Sequence, residues 1–278
     1  MKVDVDIDCS GKTSVGMRRK NNEDQFLIAD LNRSIVVLDT TLSVEQQTIM
    51  LGSTEGKLVV IADGAGGHAK GERASELAVH TITHYVLNTM AWFFKLDQRL
   101  ERDLVDELQK GLERCHQTLA QDAQSHPENR AMATTLTMAY ILFPRIYILH
   151  VGDSRSYIQR GGSIYQITHD HTYADNLSDS RFAGVLWNAL VADSSKQVRP
   201  EVHKTMLQFD DTLLLCTDGL NKHVTDEQIS KVLDEGTTAE EAAQKLVDMA
   251  NEDGGTDNTT VVVARFHKPE NVEEEASD

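Results

Sequence analysis

Apolar positions in the first part of the chain follow two periods, one typical of strands and one typical of helices. Alternating or β-branched residues predict strands at Thr13–Met17, Gln25–Ala29, Ile35–Leu38 and Leu58–Ala62. Apolar residues three or four positions apart then predict an amphipathic helix that carries Ala74, Leu77, Ala78, Ile82, Tyr85, Val86 and Phe93. The same spacing recurs at Leu100, Leu104, Leu108, Leu112 and Leu119. The pattern therefore predicts a sheet followed by two long helices.

Strand patterns return in the second half of the chain. They predict strands at Thr134–Leu142, Ile146–Val151, Ser156–Gln159, Ser163–Thr168, Val202–Phe209, Thr212–Cys216 and Asn258–Phe266. Gly161 and Gly162 predict a hairpin turn, and the polar stretch 169–195 predicts a loop or flap. Helices are predicted at Thr225–Leu233, with Thr225 and Gln228 as a capping box, and at Ala239–Ala250. This order favours an α+β fold in which packed sheets are covered by helices.

Length and composition narrow the class of protein. The chain has 278 residues and no run of about 18 apolar residues that could cross a bilayer. Its N-terminus lacks the basic start and apolar core of a signal peptide, so we expect a cytoplasmic protein. Cys9, Cys115 and Cys216 are odd in number and far apart, which argues against a disulfide framework or a structural zinc site.

The charge of the chain argues against a nucleic-acid partner. A formal net charge of −17 repels a phosphate backbone, and no basic stripe offsets it. Part of that charge lies in residues 268–278, which we expect to form a disordered acidic tail. The chain is large enough for a monomer with its own core.

Aspartates stand beside glycine or another small residue at the ends of several apolar runs. The motifs are Asp63-Gly64-Ala65-Gly66-Gly67-His68, Gly152-Asp153-Ser154-Arg155, Asp218-Gly219 and Thr256-Asp257-Asn258. A single Asp-Gly pair is typical of an ordinary turn. Several carboxylates that meet at one edge would repel one another, and cations are the usual compensation.

The donor types in these motifs indicate which ion they would hold. No histidine or cysteine joins them at zinc spacing, so oxygen-only ligation favours Mg²⁺ or Mn²⁺. Because one octahedral Mg²⁺ commonly takes only one or two carboxylates, this many aspartates indicate two or three ions. Near the N-terminus, Arg19 with Glu23 and Asp24 adds a bidentate phosphate donor and carboxylates that can hold metal-bound water.

Taken in order, the motifs resemble the metal-dependent protein phosphatases of type 2C, in detail the bacterial branch. They are Arg19-Lys20-Asn21-Asn22-Glu23-Asp24, Asp63-Gly64-Ala65-Gly66-Gly67-His68, Ala133-Thr134-Thr135, Val151-Gly152-Asp153-Ser154-Arg155, Thr217-Asp218-Gly219-Leu220 and Asp257-Asn258. The resemblance implies a catalytic domain at residues 10–267, built as two packed antiparallel sheets flanked by helix pairs. It also implies hydrolysis of phosphoserine and phosphothreonine in proteins, with serine/threonine kinases or their substrates as partners in signalling.

The resemblance further implies a role for each candidate site residue. Asp63 matches the aspartate that bridges two metals, and the Gly64 carbonyl matches a ligand of one of them. Asp218 and Asp257 match ligands of the second metal, while Asp153 with Asp218 matches a third-metal site. The roles implied for the catalytic candidates are phosphate binding by Arg19 and, for Glu23 and Asp24, contact through coordinated water.

Some departures from the family pattern limit which of the family's residue roles apply to this chain. Ala65 stands where bacterial relatives carry methionine and eukaryotic ones carry a histidine proposed as general acid, so the proton donor is unassigned. His68, His169 and His171 are candidates by position, although each also fits a surface or hydrogen-bonding role. Ala133 replaces a usual glycine. The main alternative function is a phosphatase-like regulator that binds phosphoproteins without turnover. Such a protein would be expected to lack the aspartates that bind the metals.

Overall fold

The computed structural model describes residues 4–36, 49–66, 69–88, 98–173 and 184–269. Twelve strands and five α-helices lie in these ranges. The strands are β1 (Asp6–Ser14), β2 (Asp24–Val36), β3 (Ile49–Ala65), β4 (Ala133–Thr134), β5 (Leu136–Leu142), β6 (Arg145–Val151), β7 (Arg155–Arg160), β8 (Ser163–Gln166), β9 (Leu190–Val191), β10 (Glu201–Met206), β11 (Thr212–Cys216) and β12 (Thr259–His267). The helices are α1 (Ala69–Asn88), α2 (Gln98–Ser125), α3 (Asp218–Asn221), α4 (Asp226–Leu233) and α5 (Ala239–Glu252).

The described strands form two sheets in which neighbouring strands are antiparallel. One sheet has the order β1-β12-β11-β7-β8. The other has the order β10-β6-β5-β3-β4-β9, with β2 paired to β3. The α+β class and the two antiparallel sheets expected from the sequence are confirmed.

Among the residues that the structure describes, three clusters of buried apolar side chains show how the layers stack. Between the sheets, Ile61 and Ile148 of one face pack with Leu215 and Phe266 of the other. Leucines along one side of α2, such as Leu108, pack with α1 onto the outer face of the larger sheet. A third core joins α4 and α5 to the outer face of the smaller sheet. The order of layers is therefore helices, sheet, sheet, helices.

The capping box and the hairpin predicted in the second half of the chain are both present in the structure. Thr225 and Gln228 form the predicted capping box at the start of α4, and Thr238 with Glu241 forms another at α5. β7 and β8 form the predicted hairpin. Gly161 and Gly162 both have positive φ, 55° and 77°, which glycine adopts without strain. None of the described helices is long and apolar enough to span a membrane.

The first predicted strand is wrong. Thr13–Met17 was expected, whereas β1 covers Asp6–Ser14, ahead of the expected domain start at residue 10. Asp6 lies opposite His267 and Ser14 opposite Thr259, so β1 is paired along its whole length with β12. The position of β1 is therefore determined by its pairing with the buried strand β12, and not by local alternation of apolar residues.

The bounds of other elements also differ from those predicted. The predicted strand at 134–142 is interrupted at Thr135, because Ala133–Thr134 pairs with the end of β3 while Leu136–Leu142 pairs with β6. The predicted loop 169–195 contains the short strand β9. The predicted strand at 35–38 continues β2 as far as Val36. Residues 37, 38, 93 and 174–183, and most of the expected tail, lie outside the described residues.

Candidate metal centre

The predicted aspartates meet where strands of both sheets end. Asp24, the first residue of β2, lies directly opposite Asp63 near the end of β3. Asp153 follows β6, Asp218 follows β11 at the start of α3, and Asp257 lies just ahead of β12. Rigid strand ends from the two packed sheets thus carry five carboxylates to one place.

A cavity of about 300 Å³ opens at this place. Of the eight candidate site residues, all but Asp24 line it: Arg19, Glu23, Asp63, Gly64, Asp153, Asp218 and Asp257. Asp24 is buried next to Asp63. The structure therefore brings together every residue that the sequence proposed for the site.

Asp24 is held by two buried threonines. Its Oδ2 accepts hydrogen bonds from Thr217 Oγ1 at 2.9 Å and from Thr260 Oγ1 at 2.7 Å. Its Oδ1 is buried and has no hydrogen-bond partner among the described residues. Burial raises the pKa of Asp24 to about 7. The hydrogen bonds from Thr260 and Thr217 offset only part of this rise, and the negative charge of Asp218 increases it.

The backbone at Asp63 is fixed by the paired threonines of the sequence motif. Thr134 Oγ1 donates to Asp63 O at 2.8 Å, and Asp63 N donates to Thr135 Oγ1 at 2.9 Å. Burial, together with the charges of Asp24 and Asp218, raises the pKa of Asp63 well above its ordinary value. The carboxylate is therefore costly to ionise unless a cation accompanies it.

Gly64 and Glu23 lie side by side in a tightly packed corner. Gly64 N donates to Glu23 O at 3.2 Å, and Ser75 Oγ of α1 donates to the same carbonyl at 2.6 Å. Glu23 N donates to Asn258 Oδ1 at 2.9 Å. A Cβ placed on Gly64 would run into the carbonyl oxygen of Gly71 in α1. Only glycine therefore allows this approach between β3 and the first turn of α1.

Two basic side chains form ion pairs with Asp218 and Asp257. Arg19 Nε lies 2.8 Å from Asp257 Oδ1, and Arg19 Nη2 donates to Asp257 Oδ2 at 2.9 Å, which is a bidentate pair. Lys222 Nζ lies 2.6 Å from Asp218 Oδ2 and 2.8 Å from Asp257 Oδ2. Burial tends to raise the pKa of Asp257, but Lys222 and Arg19 outweigh it and hold that pKa below its ordinary value.

Lys222 was missed by the sequence analysis. It lies four residues after Asp218, so one turn of helix brings the two side chains to the same face. The four-residue spacing between Asp218 and Lys222 could have indicated this ion pair. Nothing in the local sequence shows that Lys222 also contacts Asp257, because Asp257 lies 35 residues further along the chain. The Lys222 side chain is partly exposed and reaches the cavity from the residue that follows α3.

The donors in the cavity fit hard divalent cations. Asp218 Oδ1, like Asp24 Oδ1, is buried without a hydrogen-bond partner among the described residues. Buried carboxylate oxygens without donors are costly, and a cation is the chemical group that would satisfy several of them together. No histidine or cysteine is among the described residues that line the cavity, so oxygen-seeking ions fit it better than zinc.

A family model described as protein phosphatase 2C matches residues 47–253. This is most of the chain. The chain belongs to the protein phosphatase 2C family.

Relatives of this phosphatase 2C chain include two bacterial enzymes. The serine/threonine protein phosphatase PstP of Mycobacterium tuberculosis is 33% identical over 219 residues, which make up 75% of this chain and 40% of PstP. The chain therefore spans less than half the length of PstP. The serine/threonine phosphatase stp of Listeria innocua is 30% identical over 218 residues, or 74% of this chain and 83% of stp.

The fold of this family member matches a solved structure as well. The catalytic domain of PstP, in complex with two manganese ions, superposes with a TM-score of 0.73 at 29% identity, covering 95% of this chain and 99% of that one. The likeness extends over nearly the whole of both chains.

The departures from the phosphatase 2C pattern cluster at the rim of the cavity. Ala65 lies directly opposite Ala133 in the β3–β4 pairing, and both line the cavity. Their small side chains supply no proton donor there. His169 and His171 do not line the cavity but contact Glu201 instead, and His68 lies outside the described residues.

Proposed function

We propose that this chain hydrolyses phosphoserine and phosphothreonine esters in proteins with the help of Mn²⁺ or Mg²⁺. The observation that carries the proposal is the convergence of four aspartates on one cavity, with Asp24 buried opposite Asp63. Asp24 and Asp218 each have a buried carboxylate oxygen without a donor among the described residues. Family membership and the manganese-bound relative support the same activity.

The proposed metal-holding groups are Asp63, the Gly64 carbonyl, Asp153, Asp218 and Asp257. When bound, divalent cations lower the pKa of water to near neutral and offset the charge of the phosphoryl group. Glu23 and Asp24 are proposed to accept hydrogen bonds from water at the site, and their backbones are anchored for this by Asn258 and Asn22. Two ions are expected, with Asp153 available for a third.

Arg19 is the proposed phosphate-binding group. Its side chain is 53% exposed and holds Asp257 through the same planar fork of N–H groups that suits a phosphoryl oxygen pair. In this role Arg19 exchanges a carboxylate partner for the phosphate of the substrate. Lys222, which contacts Asp257 as well, would keep that carboxylate partly neutralised during the exchange.

The proposed substrates are phosphorylated proteins, with serine/threonine kinases or their targets as the partners. A signalling role, a cytoplasmic location and a monomeric state stay predictions from the sequence. The regulator alternative is not favoured, because the metal aspartates are present and lie together.

The test is hydrolysis of a phosphothreonine peptide with Mn²⁺, with and without chelator. Asp63→Asn and Asp218→Asn should lose most of the turnover, because each removes a charged oxygen from the cluster. Asp248→Asn, on the exposed side of α5, is the matched control and should behave like the parent. Turnover that survives chelation or both site substitutions would refute the proposal, whereas phosphopeptide binding without turnover would favour the regulator.

A further inference from the structure

A second group of metal-ligating side chains lies outside the phosphatase cavity. Four histidines surround Glu201: His150, His169, His171 and His203. Glu201 and His203 are two residues apart on β10, so their side chains leave the same face of the strand. Glu201 pairs directly with His150 of β6, while His169 and His171 come from the segment after β8.

Two of these histidines are held by fixed hydrogen bonds and support the others. Gly152 N can only donate, so His171 Nδ1 accepts from it at 3.2 Å, and His171 Nε2 then donates to Glu201 Oε2 at 3.1 Å. His150 Nε2 lies 3.0 Å from the carbonyl of His169 and therefore donates to it, while its Nδ1 lies 2.9 Å from Thr137 Oγ1. The His171 ring therefore positions the Glu201 carboxylate, and the His150 ring positions the backbone of His169.

The other two histidines converge on the oxygen of Glu201 that His171 leaves open. His169 Nδ1 lies 3.2 Å and His203 Nε2 lies 3.1 Å from Glu201 Oε1. His203 Nε2 is buried and makes no hydrogen bond of acceptable geometry with any described residue. One carboxylate oxygen therefore faces two imidazole nitrogens, one of which has no hydrogen-bond partner.

We infer that His169, Glu201 and His203 form a binding site for Zn²⁺. Two imidazoles and one carboxylate are a common zinc donor set, and ligands on a tetrahedral Zn²⁺ lie about 3.4 Å apart. The two nitrogen-to-oxygen distances differ from that value by only a few tenths of an ångström. The three donor atoms all lie within 4.8 Å of one another, and the His169 side chain is 79% exposed.

The surroundings suit a bound ion. His171 orients the carboxylate and His150 orients the backbone of a ligand, which is the supporting role that partners of metal ligands commonly play. His169 and Glu201 also line an open groove of about 750 Å³, so an ion and a fourth ligand from solvent can reach the site. This donor set contains nitrogen, whereas the phosphatase cavity offers oxygen only, and the two sites should therefore select different metals.

The site is also linked to the phosphatase cavity through backbone. His171 N donates to Gly152 O at 2.8 Å, and Gly152 directly precedes Asp153. Glu201, His171 and Gly152 thus form a continuous chain of hydrogen bonds that ends next to a proposed metal ligand. Zn²⁺ held by Glu201 would stiffen this connection.

The test is Zn²⁺ titration of the metal-free full chain in excess Mg²⁺, which occupies the oxygen-only cavity without competing for imidazole. The parent should bind one Zn²⁺ more than His169→Gln and His203→Gln do, or bind it at least about tenfold more tightly. Co²⁺ in place of Zn²⁺ should give visible absorption bands of a tetrahedral site in the parent only. His126→Gln, at an exposed histidine after α2, is the control and should match the parent.

His169→Gln is the decisive variant, because the His169 side chain is 79% exposed and its loss leaves the core intact. Zn²⁺ binding by this variant with the stoichiometry and affinity of the parent would overturn the inference. So would a parent chain that takes up no Zn²⁺ in the presence of Mg²⁺.

Discussion

Gly71→Ala should separate the proposed phosphatase activity of this chain from its stability. Gly71 lies in the first turn of α1 and has ordinary helical backbone, so alanine suits its conformation. A Cβ there would nonetheless collide with Glu23 Oε2, and would lie 2.7 Å from Glu23 Cδ and 2.8 Å from Gly64 O. The atoms in its way therefore belong to two groups, a proposed catalytic carboxylate and a proposed metal ligand.

The effect on stability should be small because two contributions oppose each other. Replacing glycine by alanine in a helix stabilises it by about 1 kcal/mol. Inserting a methyl group into a packed corner costs about 1–3 kcal/mol. The net loss is then about 0–2 kcal/mol, and for a chain of this length each kcal/mol lowers Tm by roughly 2–4 °C.

The effect on activity should be larger. Gly64 O belongs to strand backbone that is paired with Thr134, so it cannot retreat, and the Glu23 carboxylate has to move instead. Displacing groups that orient a metal site commonly costs about 10–100-fold in affinity or activity. We expect a loss in this range, with a higher Mn²⁺ concentration for half-maximal turnover.

The assay compares phosphopeptide turnover across a Mn²⁺ series with thermal unfolding of the same preparations. Gly111→Ala is the matched control, because its Cβ would meet Ile82 Cδ1 at 2.7 Å and Tyr85 Cδ1 at 3.1 Å in the α1–α2 contact, away from the cavity. Gly111→Ala should change Tm by a similar amount and leave turnover intact. The reasoning fails if Gly71→Ala keeps parental turnover and Mn²⁺ dependence, or loses no more activity than Gly111→Ala.

Two further substitutions test a charge and a hydrogen bond of the site. Lys222→Gln removes the ammonium that lies between Asp218 and Asp257, and should lower the Mn²⁺ concentration for half-maximal binding by roughly three- to tenfold in calorimetry. An unchanged or weaker affinity would contradict this. Thr260→Val keeps the shape of the side chain but removes one of two donors to Asp24 and a 2.8 Å hydrogen bond with Thr13 Oγ1. It should destabilise the chain by about 1–3 kcal/mol in urea unfolding. A loss below about 0.5 kcal/mol, the scale of an ordinary surface substitution, would show that this hydrogen bond is not needed.

The layered fold was predictable because its signals are local. Hydrophobic period distinguishes β5 and β6 from the leucine stripe of α2, and the capping box at Thr225 marks the start of α4 without reference to the rest of the chain. β1 has no such signal. Its sequence reads Asp-Ile-Asp-Cys-Ser-Gly-Lys-Thr-Ser, with few apolar positions, and it becomes a strand because the buried β12 offers it an edge.

The acidic half of the candidate site was predictable for a related reason. An aspartate next to glycine at the end of an apolar run is visible in a single motif, and a rigid strand end fixes where it points. Contacts that join distant segments are not visible in this way. Thr260 donates to Asp24 across 236 positions, and Gly71 matters only because α1 packs against Gly64.

The charge of the cavity explains why basic residues accompany the acidic motifs. Six carboxylates and two basic side chains meet there: Glu23, Asp24, Asp63, Asp153, Asp218 and Asp257 with Arg19 and Lys222. Fully ionised, the group carries a formal excess of four negative charges, which two divalent cations would balance. Without Arg19 and Lys222 the excess would be six, and the strand ends would repel one another more strongly while the chain folds. The two basic residues therefore leave the site acidic enough to attract two cations and neutral enough to assemble before they bind.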